Sequence, residues 1–226
     1  MEEIICKYCK IKSSAVKFLN ADELEKLESN CVVVDFKKGD VIFKQGAFSS
    51  NIIYVRSGMV KIHMSGPAEE QIIKITKAPS YLGIPTTFGE KVNQYSATAV
   101  ENTRVCFINI EVFKGFIFAN GNFAYEIIIE LCRNELNSFK QCVNRTQKYI
   151  HGRAADALLF FSNDIYNSDE FVLPLTRLEL GYFISTSRES ICRILNEFDD
   201  AGIIGLSGRK VKILDKDLLE IISKKG

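Results

Sequence analysis

No run of about 18 uninterrupted apolar residues occurs in the 226-residue chain, so no transmembrane helix is expected. The N-terminal stretch Met1-Glu-Glu-Ile-Ile-Cys6 lacks a basic region leading into an apolar segment and does not read as a signal peptide. An excess of charge of one sign is missing too. Against 29 Lys and Arg stand 28 Asp and Glu, and a net charge of +1 supplies no global attraction for nucleic acid or membrane. With 4 Pro, 14 Gly and a 46% hydrophobic content, the composition is that of an ordinary soluble globular protein, and a disordered chain is excluded. The two histidines, His63 and His151, have no partner visible in the sequence, which argues against haem or metal binding through either. Enzyme signatures are absent: there is no phosphate-binding Walker loop, no Gly-x-Ser-x-Gly, no His-Glu-x-x-His and no paired carboxylates in a catalytic context, so the chain is not read as an enzyme. Cysteine is present, at seven positions. Without export the location is cytoplasmic and reducing, where free thiols, a metal or a redox role are expected rather than a disulfide framework.

The chain changes character twice. From about 30 to 110 it reads as short strands rich in β-branched and aromatic residues: Cys31–Phe36, Val41–Phe43, Ile52–Val55, Met59–His63, Gln71–Thr76, Ser96–Val100 and Arg104–Ile108. Turn signals such as Lys38-Gly39-Asp40, Ser57-Gly58 and Leu82-Gly83 separate them, and this spacing predicts a sandwich or a rolled barrel. A short helix is expected ahead of the strands, opened by Asn20 as N-cap with Glu23 at the third helical position.

After the strands the period becomes helical. Tyr125, Ile129, Cys132, Leu136, Phe139, Val143 and Thr146 alternate spacings of four and three, a seam of about three heptads. A second stripe, Phe123, Ile127, Ile128 and Leu131, suits packing against the strand domain. One amphipathic helix buried on its own domain accounts for part of this pattern. Two apolar stripes favour a helix with two neighbours, one of them a second copy of the chain. Cys132 and Cys142 are ordinary residues of that helix.

Beyond His151-Gly152 a helix is expected over Ala155 to Tyr166, then a short strand at Phe171-Val-Leu and a break at Pro174. Thr176-Arg-Leu-Glu179 and Thr186-Ser-Arg-Glu189 both have capping-box spacing, so two helices begin ten residues apart. The second buries Ile191, Ile194, Leu195 and Phe198, leaving Arg188, Glu189, Cys192, Arg193 and Asn196 outward. Leu206–Ile213 reads as a hairpin with a basic tip, which completes a winged helix-turn-helix. Arg donates in bidentate fashion to guanine and Glu accepts from the cytosine amino group, so this face suits a major groove. A surface ion pair between Glu189 and Arg193, with Glu189 capping the helix, explains the same residues without DNA. Residues 151–226 hold 10 Lys and Arg against 12 Asp and Glu, so placement on one face, rather than abundance, has to supply any attraction.

The segment Leu175-Thr-Arg-Leu-Glu-Leu-Gly-Tyr-Phe-Ile-Ser-Thr-Ser-Arg-Glu-Ser-Ile-Cys-Arg-Ile-Leu195 resembles the helix-turn-helix of the CRP/FNR transcription regulators. The resemblance covers nearly the whole chain. It implies an α+β architecture: an N-terminal arm and jelly-roll β-roll of the cyclic-nucleotide-binding kind over 1–119, a dimerisation helix over 120–150 and a winged helix-turn-helix over 151–226. It implies a homodimer on double-stranded DNA carrying an inverted repeat, with RNA polymerase as partner and no membrane. Arg188, Glu189 and Arg193 match the base-reading residues, and Thr176 and Ser187 match positions that touch phosphates. Lys210 and Lys212 on the wing join the DNA contacts. Cys192 stands where Ser or Gly is usual and is placed to alter base preference. Ser185 replaces a common turn Gly, an exchange expected to cost little.

Members that sense cyclic AMP carry Gly-Glu-Leu/Ile-Gly and Arg-Ser/Thr-Ala in their phosphate cassette. The corresponding segments here are Leu82-Gly-Ile-Pro85 and Tyr95-Ser-Ala97, so Ile84 replaces the ribose-binding Glu and Tyr95 the phosphate-binding Arg. A buried phosphate without its cation binds poorly, and cyclic AMP is not the expected effector. A different small molecule in a pocket lined by Tyr81, Gly83, Ile84, Phe88, Tyr95 and Ser96 is the open expectation. The pair Cys6-x-x-Cys9 with a distant Cys106 resembles the oxygen-sensing branch, in which four thiolates bind an Fe–S cluster. The third arm cysteine falls at Ala15 and is missing, so three of four ligands match, and Cys31 is a substitute only if the fold brings it near. The alternative reading is therefore a thiol- or metal-dependent redox sensor or redox protein using Cys6, Cys9 and Cys106.

Overall fold

The structure, a computed structural model, describes residues 12–226. They form two compact units, residues 12–65 with 73–136 and residues 66–72 with 137–226.

In the first unit a single 3-10 turn precedes helix α1 (Ala21–Ser29). Asn20 accepts from the Glu23 amide and Glu23 accepts in return from the Asn20 amide, both at 2.9 Å, the reciprocal cap that the sequence predicts. All seven segments read as strands are strands: β1 (Cys31–Phe36), β2 (Val41–Phe43), β3 (Asn51–Ser57), β4 (Met59–Ser65), β5 (Glu70–Lys77), β7 (Ser96–Ala99) and β8 (Thr103–Asn109), with a further short strand β6 (Ser80–Leu82). Two four-stranded sheets result, in the orders β1-β8-β3-β6 and β2-β7-β4-β5.

Strand β3 shows why both faces of the first sheet are apolar. Its alternate residues Ile52 and Tyr54 join one core, which also holds Tyr81, Cys106, Phe113, Phe116, Phe123 and Ile127. Ile53 and Val55 join a second core with Ile42, Val60, Ala97 and Val105, residues of both sheets. The two-residue period of a strand delivers one set to the opposite sheet and the other to the helices. Those helices are α2 (Ile84–Phe88), α3 (Ile110–Ala119) and the first half of α4 (Gly121–Gln147). Phe123 and Ile127 of α4 are buried and Leu131 packs beside them, as the second stripe predicts. Ile128 departs from it: at 54% exposure it turns away from the core, on the side where Tyr125, Leu136, Phe139 and Val143 are also exposed. Ile128 lies three residues from Tyr125 and four from Cys132, so helical geometry adds it to the seam.

In the second unit α5 (Ile150–Phe160) begins five residues earlier than expected and runs on as one π-helical turn to Tyr166. Strand β9 (Glu170–Val172), α6 (Arg177–Ile184), α7 (Arg188–Asp200), the hairpin β10 (Ile204–Ser207) and β11 (Lys210–Ile213), and α8 (Lys216–Lys225) follow. The hairpin adds to β9 in the order β10-β11-β9, making the wing a three-stranded sheet. Thr176 Oγ1 accepts from the Glu179 amide at 3.2 Å while Glu179 accepts from the Thr176 amide at 2.8 Å, so the first capping box is complete. Replacing Thr176 by Ala should lower stability by about 1 kcal/mol, read by denaturant unfolding; an unchanged midpoint would show that the cap contributes nothing.

The second predicted box is displaced by one residue. Ser187, not Thr186, caps α7 and accepts from the Ser190 amide at 3.1 Å. Thr186 is drawn back instead, its amide donating to the Gly181 carbonyl at 2.9 Å. The turn is tight: a Cβ on Gly181 would stand 2.7 Å from the Thr186 carbonyl oxygen. Ser185 adopts the left-handed conformation, φ 58°, which penalises a residue with a Cβ by about 1–2 kcal/mol. The Gly-to-Ser exchange here is costlier than the sequence implied.

Candidate nucleic-acid interface

Helix α7 divides cleanly. Ile191, Ile194, Leu195 and Phe198 are buried, with Leu180 and Ile184 of α6 also buried in the same unit. Arg188, Glu189, Arg193 and Asn196 are exposed and Cys192 is half-buried. The face picked out by periodicity is therefore the outward face.

Glu189 does not pair with Arg193. Its own backbone amide and the Ser187 hydroxyl hold its carboxyl below the ordinary range, so it is ionised at the positive end of the helix. Arg193 instead donates to Glu197 at 2.6 Å, one turn further on, and His151 meets the other Glu197 oxygen at 2.8 Å. The His151 ring and Arg193 together hold the Glu197 carboxyl below its usual range. An exposed i,i+4 pair of this kind contributes little, so Arg193 exchanges Glu197 for a stronger partner at little cost. His63 also finds a partner, Thr98 Oγ1 at 2.8 Å. The sequence shows neither histidine's contact, because the partners are 35 and 46 residues away.

The phosphate-contact candidates flank this face. Thr176 and Ser187 are exposed, and each spends an oxygen lone pair on its cap. On the wing, Arg209 folds back to donate twice to the Leu173 carbonyl, at 3.0 and 2.6 Å. Lys210 is ion-paired with Glu170 of β9, whose carboxyl it holds below the usual range. Lys212 is exposed on the same strand.

The six residues proposed for an effector pocket have different surroundings. Tyr81 and Ile84 are buried in the helix-facing core, where Tyr81 Oη bonds Ser13 Oγ at 2.8 Å and burial pushes its phenol pKa up. Phe88 packs edge-on to Phe113. Ser96 Oγ accepts from the Gln45 amide at 2.9 Å. Tyr95 Oη accepts from the Gly83 amide at 3.0 Å, and its ring packs on Phe43. Gly83 borders a cavity of about 70 Å³ with Phe43, Phe48, Asn51, Asn93 and Phe107 among its walls. Small-molecule sites are usually 300 Å³ or more, so this space is small for one. A polar cluster on β5 and α4 escaped the sequence reading: Lys74 donates to Asn134 at 2.6 Å near Glu130, and burial lowers the lysine's pKa and raises the glutamate's.

Of the cysteines proposed as metal ligands, Cys6 and Cys9 lie outside the described residues. Cys106 is buried in the helix-facing core, and Cys31 packs against that core from the neighbouring strand. Among the described residues no group of three or more His, Cys, Asp or Glu is arranged to hold a metal ion. They do not by themselves fit a cluster. Among the described residues, no helix is long and apolar enough to cross a membrane.

Residues 33–120 match the cyclic nucleotide-binding domain family and residues 152–222 the Crp-like helix-turn-helix domain family. Electron transport regulator A of Shewanella oneidensis is 25% identical over 97% of this chain and 90% of that protein. The fumarate and nitrate reduction regulatory protein of Vibrio cholerae is 26% identical over 96% and 90% respectively. Among solved structures, FixK2 from Bradyrhizobium japonicum superposes with a TM-score of 0.77 at 16% identity, over 85% of this chain and 96% of that one. A putative transcriptional regulator of the crp/fnr family from Eubacterium rectale gives 0.77 at 20% identity, over 93% and 97%. A β-roll followed by a long helix and a winged helix-turn-helix defines a DNA-binding transcription regulator rather than an enzyme. The chain belongs to the CRP/FNR family.

Proposed function

We propose that the protein acts as a homodimer on an inverted repeat in double-stranded DNA, placing one α7 in each of two successive major grooves. The observation that carries this reading is the division of α7, whose apolar residues are buried and whose Arg188, Glu189 and Arg193 are exposed near its N-terminal end. Arg188 and Arg193 read guanines and Glu189 accepts from a cytosine amino group. Thr176 keeps its hydroxyl proton available for a phosphate oxygen, because its cap uses only a lone pair, whereas Ser187 would have to release its hydroxyl proton from Ser190 Oγ. Two-fold symmetry requires half-site centres about one helical turn, ~34–36 Å, apart. Binding selection from random duplexes should return such an inverted repeat. Enrichment of a single asymmetric element, or of nothing, contradicts the proposal.

The β-roll is proposed to control this activity through a signal other than a cyclic nucleotide. Ile84 and Tyr95 replace the ribose and phosphate partners, and the Tyr95 hydroxyl already occupies the Gly83 amide. Cyclic AMP should give no heat of binding by calorimetry at micromolar concentration and leave DNA affinity unchanged. Micromolar binding would show that another cation compensates for the missing arginine.

A further inference from the structure

A cavity lies within the second unit. Its volume is about 350 Å³, within the range of small-molecule sites, and it opens between the end of α4, α5 and the end of α6. Phe160 and Phe183 line it with their ring centroids 5.9 Å apart, an apolar wall suited to a planar group. Arg145 and Arg153 line it as well. The Arg153 Nε is buried and has no hydrogen-bond partner, although its Nη1 donates to the Ser185 carbonyl at 3.2 Å. Arg145 Nη2 donates to the Ile72 carbonyl at 3.0 Å within the same unit, and burial lowers its pKa with Arg153 adding to the effect. Two acids border the cavity: Asp156 is already engaged by Lys148, at 2.7 and 2.9 Å, and by Ser223, while Asp164 is exposed.

A buried guanidinium N–H left unbonded is costly, and a carboxylate or phosphate oxygen is the partner that suits it best. We propose that this cavity binds a small aromatic anion, its acidic group held by Arg153 and Arg145 and its ring against Phe160 and Phe183. The same Arg153 holds the carbonyl of Ser185, the left-handed residue that joins α6 to α7. Filling the cavity therefore acts on the turn that orients the recognition helix. Ligand binding stands independently of the DNA reading; its coupling to DNA rests on that reading.

The test is calorimetry of the full-length protein with phenyl phosphate and with benzoate, which separate phosphate from carboxylate sources, and with phenol as the uncharged control. At least one anion should saturate at one per chain, with phenol about tenfold weaker or more. Arg145→Gln and Arg153→Gln should each weaken the anion about tenfold while retaining the wild-type circular dichroism, and Arg145→Gln guards against a turn defect in the other. No saturable binding of either anion at millimolar concentration, or binding indifferent to both substitutions, overturns the site. Anion binding that leaves the affinity for the selected duplex unchanged overturns the coupling alone. If no duplex is selected at all, the DNA reading fails while the calorimetric result stands.

Discussion

Replacing Leu136 with Glu is expected to turn the dimer into monomers and to remove high-affinity binding to an inverted repeat. Leu136 is 58% exposed in the isolated chain, within a stripe that also contains Tyr125, Ile128, Phe139 and Val143. A heptad seam of this length facing water is unfavourable, and a second copy of α4 packed along it removes that area from solvent. Two-fold pairing brings the two copies of position 136 close together, so the substitution buries two like charges without partners. A penalty of roughly 3 kcal/mol or more weakens dimerisation a hundredfold or more. Analytical ultracentrifugation should show monomers at concentrations where the wild type is dimeric. DNA binding falls with it, because one half-site no longer tethers the second. A wild-type protein that is already monomeric, or a dimeric Leu136→Glu variant, would remove the seam from the account.

The second large effect concerns base recognition. Arg193→Ala should cost roughly 1–3 kcal/mol per half-site and relax preference at one base pair of each half. The ground-state contact it removes, to Glu197, is exposed and weak, so little of this loss should reappear as lost stability. Lys212→Ala is the contrasting case. A wing lysine contacting phosphate carries no sequence information, so its loss should weaken all duplexes alike and reduce the salt slope by about one unit. Affinities for the selected duplex and for single-base variants, each at several salt concentrations, separate the two behaviours. Equal weakening of every sequence by Arg193→Ala would make it a phosphate contact.

Much of this architecture is legible in the sequence because its signals are local. The β1 and β2 boundaries follow from β-branched runs between Gly-containing turns, and α1 and α6 from reciprocal caps spaced three residues apart. Helix α3 is harder, since Ile110-Glu-Val-Phe-Lys-Gly-Phe-Ile-Phe-Ala119 has the composition of a strand. Its helical state is decided by tertiary burial of Val112, Phe113 and Phe116 against the sheet. Helix α8 also escaped notice, although Asp215 as N-cap and a buried Leu219 mark it. The start of α7 was misplaced by one residue because Thr186 and Ser187 are equally good caps, and the preceding left-handed turn at Ser185 chooses between them.

The sites divide along the same line. The exposed face of α7 needs only a helical period and is readable. The Glu197 contacts of His151, the engagement of Gly83 by Tyr95 and the two arginines beside Phe160 and Phe183 all join residues far apart in sequence. No spacing rule reports them. Among the candidate effector residues, Tyr81 and Ile84 join the helix-facing core, whereas Gly83 borders the small cavity near Phe43.

The central claim is that α7 enters the major groove and reads guanine through Arg193 and Arg188. Guanine N7 lies in that groove, so methylation interference on the selected duplex addresses the claim directly. Methylating N7 should block the wild-type protein at symmetry-related guanines in both half-sites, and Arg193→Ala should become insensitive to one guanine in each. Interference that is absent, confined to one half-site, or unchanged by the substitution would contradict the account.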